Sequence, residues 1–245
     1  MKKFWVLLFL IFVYTNLSAQ TSGKDIINLC ITAMRIDKLD SFKTASVKAY
    51  LYQQGNKTSI RYINKEYGEG DNIETKFRLE LSSMGKETAV VFTDDDIFQV
   101  VPKYEELDKE DIGQLYQIMN WMFPTVGLLA VIKDTTDKTI FTLQDGTSKF
   151  NDKNCKKVSI AANEKPEEIL QYLFFDESTN WFQGLEIPLE KGILGLTCSN
   201  FKKKSGYVYP TTIKILQDGK KILEVEIDKF EVDIAVEDSL FEKKK

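Results

Sequence analysis

"KFRLELSSMGKETAVVFTDDDIFQVVP", Lys76 to Pro102, decides the fold class. Its first part alternates: Phe77, Leu79 and Leu81 point one way, and Arg78 and Glu80 the other. That period of two marks a strand with one face against a core. "SSMGKE" then reads as a turn, with Ser83 and Lys86 as turn residues rather than a catalytic pair. "TAVVFT" and "DIFQVVP" are two further strands joined by Asp94, Asp95 and Asp96, since Asp is a preferred turn residue. Short strands joined by tight turns predict an antiparallel sheet.

The same period extends in both directions. Upstream, "ASVKAYLYQ" alternates and Asn56 to Asn64 follows the turn residues "QQGN". Downstream, "TIFTLQ", "CKKVSIAA", "ILQYLFFD", "WFQGLEI", "ILGLTCSNFK", "YPTTIKILQ" and "ILEVEIDKFEV" are strands separated by turn signals such as "QDGTS", "DESTN" and "QDGKK". In the last strand Leu223, Val225 and Ile227 share a face, and Phe230, Val232 and Ile234 take over on the opposite parity. A β-bulge near Asp228 is the expected cause, and it would bend the strand.

Two segments break the pattern. "GKDIINLCITAM", Gly23 to Met34, puts Ile26, Ile27, Cys30 and Met34 on one helical face. "KEDIGQLYQIMNWMFPTVGLLAVIKD" is apolar at helical spacing through Ile112, Leu115, Tyr116, Met119, Met122 and Phe123, with Asp108 as N-cap and Pro124 as the stop. The pattern predicts one strongly curved antiparallel sheet covered by helices. "LQYLFFD" is apolar on both parities, with Tyr172 and Phe174 opposite Leu173 and Phe175, so both of its faces need a cover. The Met- and aromatic-rich helix is the expected cover on the concave side, and Met suits a ligand with flexible chains.

Lys2 and Lys3, the apolar run Phe4 to Tyr14 and the small residue Ala19 have the plan of a secretory signal peptide cleaved after residue 19. "NLSAQTS" resembles a lipoprotein cleavage box, but Gln20 stands where the lipid-accepting cysteine belongs, so the exported chain is expected to be soluble and not lipidated. Loss of Lys2 and Lys3 leaves 31 basic against 37 acidic side chains, a net charge of −6. That balance argues against a nucleic-acid partner, and Lys202 to Lys204 and Lys243 to Lys245 read as solvated charges. Three cysteines, Cys30, Cys155 and Cys198, allow one disulfide at most. Cys155 with Cys198 is the more plausible pair, and buried free thiols are the default.

The chain contains no histidine. This removes Ser-His-Asp and Cys-His nucleophile systems, His-based zinc sites and the usual near-neutral general base. The sequence also has neither GxGxxG after a strand nor GxxxxGK[ST]. No catalytic residue, metal site or cofactor is expected.

The order of helix, strands ending in "VVFTDDDIFQVVP", helical insertion, "YLFFDESTNWFQGLEI", "KKSGYVYPTTIKI" and the closing "VEDSLFE" resembles the LolA-like superfamily of periplasmic outer-membrane lipoprotein-sorting proteins. The likeness is strongest to versions with a Lys-x-Gly-Tyr-x-Tyr-Pro segment, here Lys204 to Pro210, and it covers nearly all of residues 20–245. It implies one domain, a half-open, strongly curved antiparallel β-barrel, mainly β, covered by one to three helices. It further implies a monomeric carrier or chaperone that is not an enzyme and holds lipoprotein acyl chains or another lipid in an apolar cavity. Envelope proteins are alternative partners, for the same fold with a filled core. Phe77, Leu79, Phe92, Phe98, Met119, Met122, Phe123 and Phe174 are the cavity or lid candidates. One departure bears on mechanism. Carriers of the superfamily place an arginine linked to lid opening four residues before the phenylalanine that is Phe77 here, and this chain has Ile73.

Overall fold

The computed structural model describes residues 22–67, 74–93, 96–107 and 138–243. Helix α1 (Gly23–Met34) leads through a 3-10 turn (Ile36–Ser41) into a first meander: β1 (Thr44–Gln53), β2 (Asn56–Tyr67), β3 (Glu74–Ser83), β4 (Lys86–Phe92), β5 (Ile97–Val101) and β6 (Glu105–Glu106). A second run follows: β7 (Thr139–Leu143), β8 (Ser148–Phe150), β9 (Lys153–Ala162), β10 (Lys165–Asp176), β11 (Phe182–Leu189), β12 (Gly192–Lys204), β13 (Tyr207–Gln217) and β14 (Lys220–Val232). The signal segment 1–19, Ile73 and the inserted segment with Met119, Met122 and Phe123 lie outside the described residues.

The fourteen strands among the described residues belong to one antiparallel sheet, in the order β6-β5-β4-β3-β2-β1-β14-β13-β12-β11-β10-β9-β7, with β8 paired to β9 off that path. Among the described residues the sheet does not close: the strand order ends at β6 on one side and at β7 on the other. Several hairpins are two-residue loops. Met84-Gly85 between Ser83 and Lys86, and Ser205-Gly206 between Lys204 and Tyr207, put both central residues at positive φ. That geometry matches the right-handed strand twist and is open to glycine without steric cost.

The two meanders meet where β1 pairs with β14, and the ladder shifts between Lys48/Lys229 and Ala49/Ile227. Asp228 is the extra residue, as the parity switch requires. Because of it, Ile227 and Phe230 both face the core, at 7% exposure each, opposite Ala49 and Val47.

Helix α1 starts in a reciprocal capping box: the Ser22 hydroxyl accepts from the Asp25 amide (3.1 Å), and the Asp25 carboxylate accepts from the Ser22 amide (2.8 Å). Its apolar stripe of Ile26, Ile27, Cys30 and Met34 is fully buried, mainly against β7, β9 and β13. Those strands are up to five spacings apart, about 24 Å in a flat sheet, against a helix about 18 Å long, so the sheet curls around it. Gly23 permits the approach, because a Cβ there would sit 2.7 Å from the Phe141 carbonyl carbon.

Burial falls into three clusters. The inner one runs through α1, β1–β4 and β9–β14. A second, on the outer face of β2–β5, holds Ile63, Val91, Phe98 and Val100 under Phe241 of the C-terminal 3-10 turn. The tail that delivers Phe241 is strapped across the strands. Thr44 donates to the Ile234 carbonyl, Lys65 to that of Val236 and Arg78 to that of Leu240, while Tyr67 donates to Asp238. Lys243, expected as a solvated tail charge, pairs with Asp96 at 3.0 Å. The third cluster answers the two-sided strand β10: Leu173 and Phe175 face the inner core, while Phe174 stacks on Phe150 (4.0 Å) beside Cys155 on the outside.

Asp176 ends β10 and organises the turn into β11. Its Oδ1 accepts from the Ser178 amide (2.9 Å), the Ser178 hydroxyl (2.6 Å) and the Thr179 amide (2.9 Å), and Lys153 approaches Oδ2 at 3.2 Å. Burial works against the charged form, but these donors win and hold the carboxyl well below the ordinary carboxylate range. A carboxyl depressed in the folded state contributes stability above its unfolded value of about 3.9 and loses it as pH falls below that. Asp176→Asn is therefore expected to lower stability at neutral pH and to flatten the decline below about pH 4, measured by urea denaturation across the acid range.

Candidate functional site

Alternation along β2, β3 and β4 builds the inner surface on the half of the sheet away from the main contacts of α1. Leu79 lies between Tyr62 of β2 and Val90 of β4, and Phe77 lies opposite Phe92. The Phe77 and Phe92 rings stack at 4.7 Å, and Tyr62 adds a tilted ring 6.1 Å from Phe77. Leu79, Val90 and Phe92 are exposed by no more than 2%. Tyr62, Phe77, Leu81, Ile97 and Leu107 are partly exposed around them. Burial pushes the Tyr62 hydroxyl far above its usual titration range, so it is a neutral group at any working pH.

The residues proposed from the sequence therefore divide. Phe77, Leu79 and Phe92 come together on the inner face. Phe98 does not join them: it pairs across from Val91 and lies in the outer cluster beneath Phe241. Phe174 lies in the other outer cluster with Phe150. Met119, Met122 and Phe123 fall outside the described residues. Sequence reading put Leu81 on the face of Phe77 and Leu79 but left it, with Tyr62 and Ile97, out of the site candidates. Tyr62 and Leu81 share the parity of Ile60 and Leu79, which is the signal that would have found them.

The half under α1 is closed by sulfur and aromatic groups. The Phe182 amide donates to the Met34 thioether at 3.3 Å, tying the helix to β11, and Cys30 contacts the same sulfur at 3.6 Å. All three thiols are free and buried. Cys155 and Cys198 lie in different clusters, on opposite faces of the sheet, so the pairing considered from sequence is not formed and the default of buried thiols stands. Burial pushes the Cys30 thiol up to about 12 and Cys155, beside the Asp176 carboxylate, up to about 11. Cys198, wholly enclosed, is driven in the same direction.

Among the described residues, the carboxylates whose titration is clearly moved, Asp25, Asp176, Glu231 and Asp238, are all moved down, the wrong direction for a general acid. Among the described residues, no group of Cys, Asp or Glu side chains is arranged to hold a metal ion, and no helix is long and apolar enough to cross a membrane.

No family model matches the chain, and no curated protein matches it. Among solved structures it is similar to a DUF1329 family protein from Desulfovibrio piger, with 16% identity, 90% of this chain and 95% of that one covered, and a TM-score of 0.49. It is also similar to a LolA superfamily protein from Nitrosomonas europaea, with 14% identity, 87% and 97% covered, and a TM-score of 0.47. The MucA/MucB complex from Pseudomonas aeruginosa aligns with 11% identity over 91% of this chain and 61% of that one, at a TM-score of 0.33.

Protonated, enclosed thiols do not react, because the thiolate is the nucleophile. A thiol reagent at neutral pH is expected to label none of the cysteines in the folded protein and all three after denaturation. Labelling of Cys30 or Cys198 without denaturation would contradict this packing.

Proposed function

We propose that this protein acts in the periplasm, after removal of residues 1–19, as a non-enzymatic carrier or chaperone. In this reading the inner face of its open sheet holds the acyl chains of a lipoprotein or another lipid. The observation that carries the reading is the continuous apolar layer on one face of a sheet that does not close among the described residues. On the half away from α1, partly exposed Tyr62, Phe77 and Leu81 border that layer. Phe77 acts by burying ligand surface, backed by the enclosed Leu79 and Phe92. Each methylene taken from water is worth about 0.8 kcal/mol before the costs of association are subtracted.

A second reading, a cell-envelope protein-interaction module with a filled core, is favoured by one feature of the same face. Leu79, Val90 and Phe92 are already buried to within 2% of complete enclosure. A core closed at these positions leaves acyl chains only the rim.

The two readings diverge in one experiment. The mature protein purified from the periplasm is weighed by native mass spectrometry before and after organic extraction, then titrated with a fluorescent fatty acid. The carrier reading predicts an extractable added mass, saturable uptake, and a loss of about tenfold or more in fatty-acid affinity for Phe77→Ser. A bare mass with no uptake would overturn it and leave the interaction module.

A further inference from the structure

Alternate turns of an antiparallel meander lie at the same end of its sheet. The β1–β2, β3–β4, β9–β10, β11–β12 and β13–β14 turns therefore share one rim, and the β10–β11 and β12–β13 turns share the other. The first rim carries exposed apolar side chains. Met84 in the β3–β4 turn is 83% exposed, and Leu189, Ile193 and Ile222 beside the β11–β12 and β13–β14 turns are each nearly half-exposed. The β10–β11 and β12–β13 turns carry none.

The fold does not account for Met84. Four two-residue turns among the described residues hold both central residues at positive φ, and in each a glycine follows Gln54, Met84, Ser205 or Asp218. That backbone favours Asn, Asp or Gly at the first position. Three of the four positions are polar, whereas Met84 takes φ 50° and packs against almost nothing in return. Charge beside the apolar tips is mixed and balanced. Exposed Lys86, Lys191, Lys220 and Lys221 lie within two residues of them in sequence, and Glu87, Glu190, Asp218 and Glu224 match these lysines in number. Glu224 accepts from Lys221, and Asp218 accepts from the Ile193 amide at 2.8 Å, which ties the β11–β12 and β13–β14 turns together.

We propose that this rim docks on a zwitterionic lipid bilayer, with Met84, Leu189, Ile193 and Ile222 entering the interface and the lysines reaching lipid phosphates. Spacing favours a membrane over a protein partner. Four strand spacings separate the β3–β4 turn from the β13–β14 turn, about 19 Å along a flattened sheet, and the β11–β12 turn lies about 10 Å further on. Tips this far apart form no single apolar patch, but a fluid interface takes each one separately. The charge balance fits as well, since a headgroup layer of both signs meets lysines and carboxylates alike, while the long lysine stems lie along apolar surface. Docking goes beyond the inner-face reading, because none of the four side chains belongs to the inner apolar cluster.

The test floats the mature protein on a density gradient with vesicles of phosphatidylcholine and phosphatidylethanolamine, at low and at high salt. Saturable co-flotation that salt changes by less than about twofold is the expected result, because the rim carries no net charge to be screened. Met84→Ser and Ile222→Ser are each expected to weaken partitioning about fivefold. Both replace exposed side chains, so the thermal midpoint and fatty-acid uptake are expected to stay as in the parent protein. Leu29→Ser, at an exposed position on α1, is expected to leave flotation unchanged. Absence of flotation would overturn the proposal and leave the exposed tips to a protein partner. Flotation abolished by salt, or reduced as much by Leu29→Ser as by Met84→Ser, would overturn it too.

Discussion

The antiparallel pairing of β1 with β14 is the contact on which the rest of the structure depends. Strands β1–β6 and β7–β14 are each local meanders, and this ladder makes them one sheet. It joins residues nearly the length of the chain apart, so its loop-closure entropy is met by contacts that form only when both halves are in place. The bulge at Asp228 sets its phase. Without that extra residue Phe230 would point outward, and the inner layer would break at the seam.

A single sheet with its phase fixed this way has two chemically different faces. The inner face is apolar across β1–β4 and β9–β14 and carries α1 on one half. The outer face is divided among an apolar patch under Phe241, a second patch around Phe150, and a charged cleft between β1 and β5. Arg78 joins two of these regions, because its guanidinium both holds the Leu240 carbonyl and lines the cleft. The tail therefore serves packing and electrostatics together.

Legibility in the sequence followed the strength of local alternation. β3 was readable because Phe77, Leu79 and Leu81 alternate with Arg78 and Glu80, and α1 because Ile26, Ile27, Cys30 and Met34 repeat at helical spacing. Asp228 could be located because a parity switch leaves a mark in one strand. The faces of Phe98 and Phe174 could not be assigned, since "DIFQVV" and "YLFF" are apolar on both parities and only the register chooses. The outer cleft was invisible for a related reason. Alternation showed that Arg78 points away from the core, but not that Arg61, Lys48 and Lys229 would align across strands, nor that the tail would return to Arg78.

The central claim is that acyl chains occupy the inner face of this open sheet. Photo-crosslinking with a diazirine-bearing fatty acid, mapped by peptide mass spectrometry, tests it most directly. The account predicts adducts on the segment from Phe77 to Phe92, concentrated at the inward residues Phe77 and Leu81. Adducts confined to outer-face residues such as Phe98, Phe150 or Phe174, or no saturable adduct at all, would contradict it.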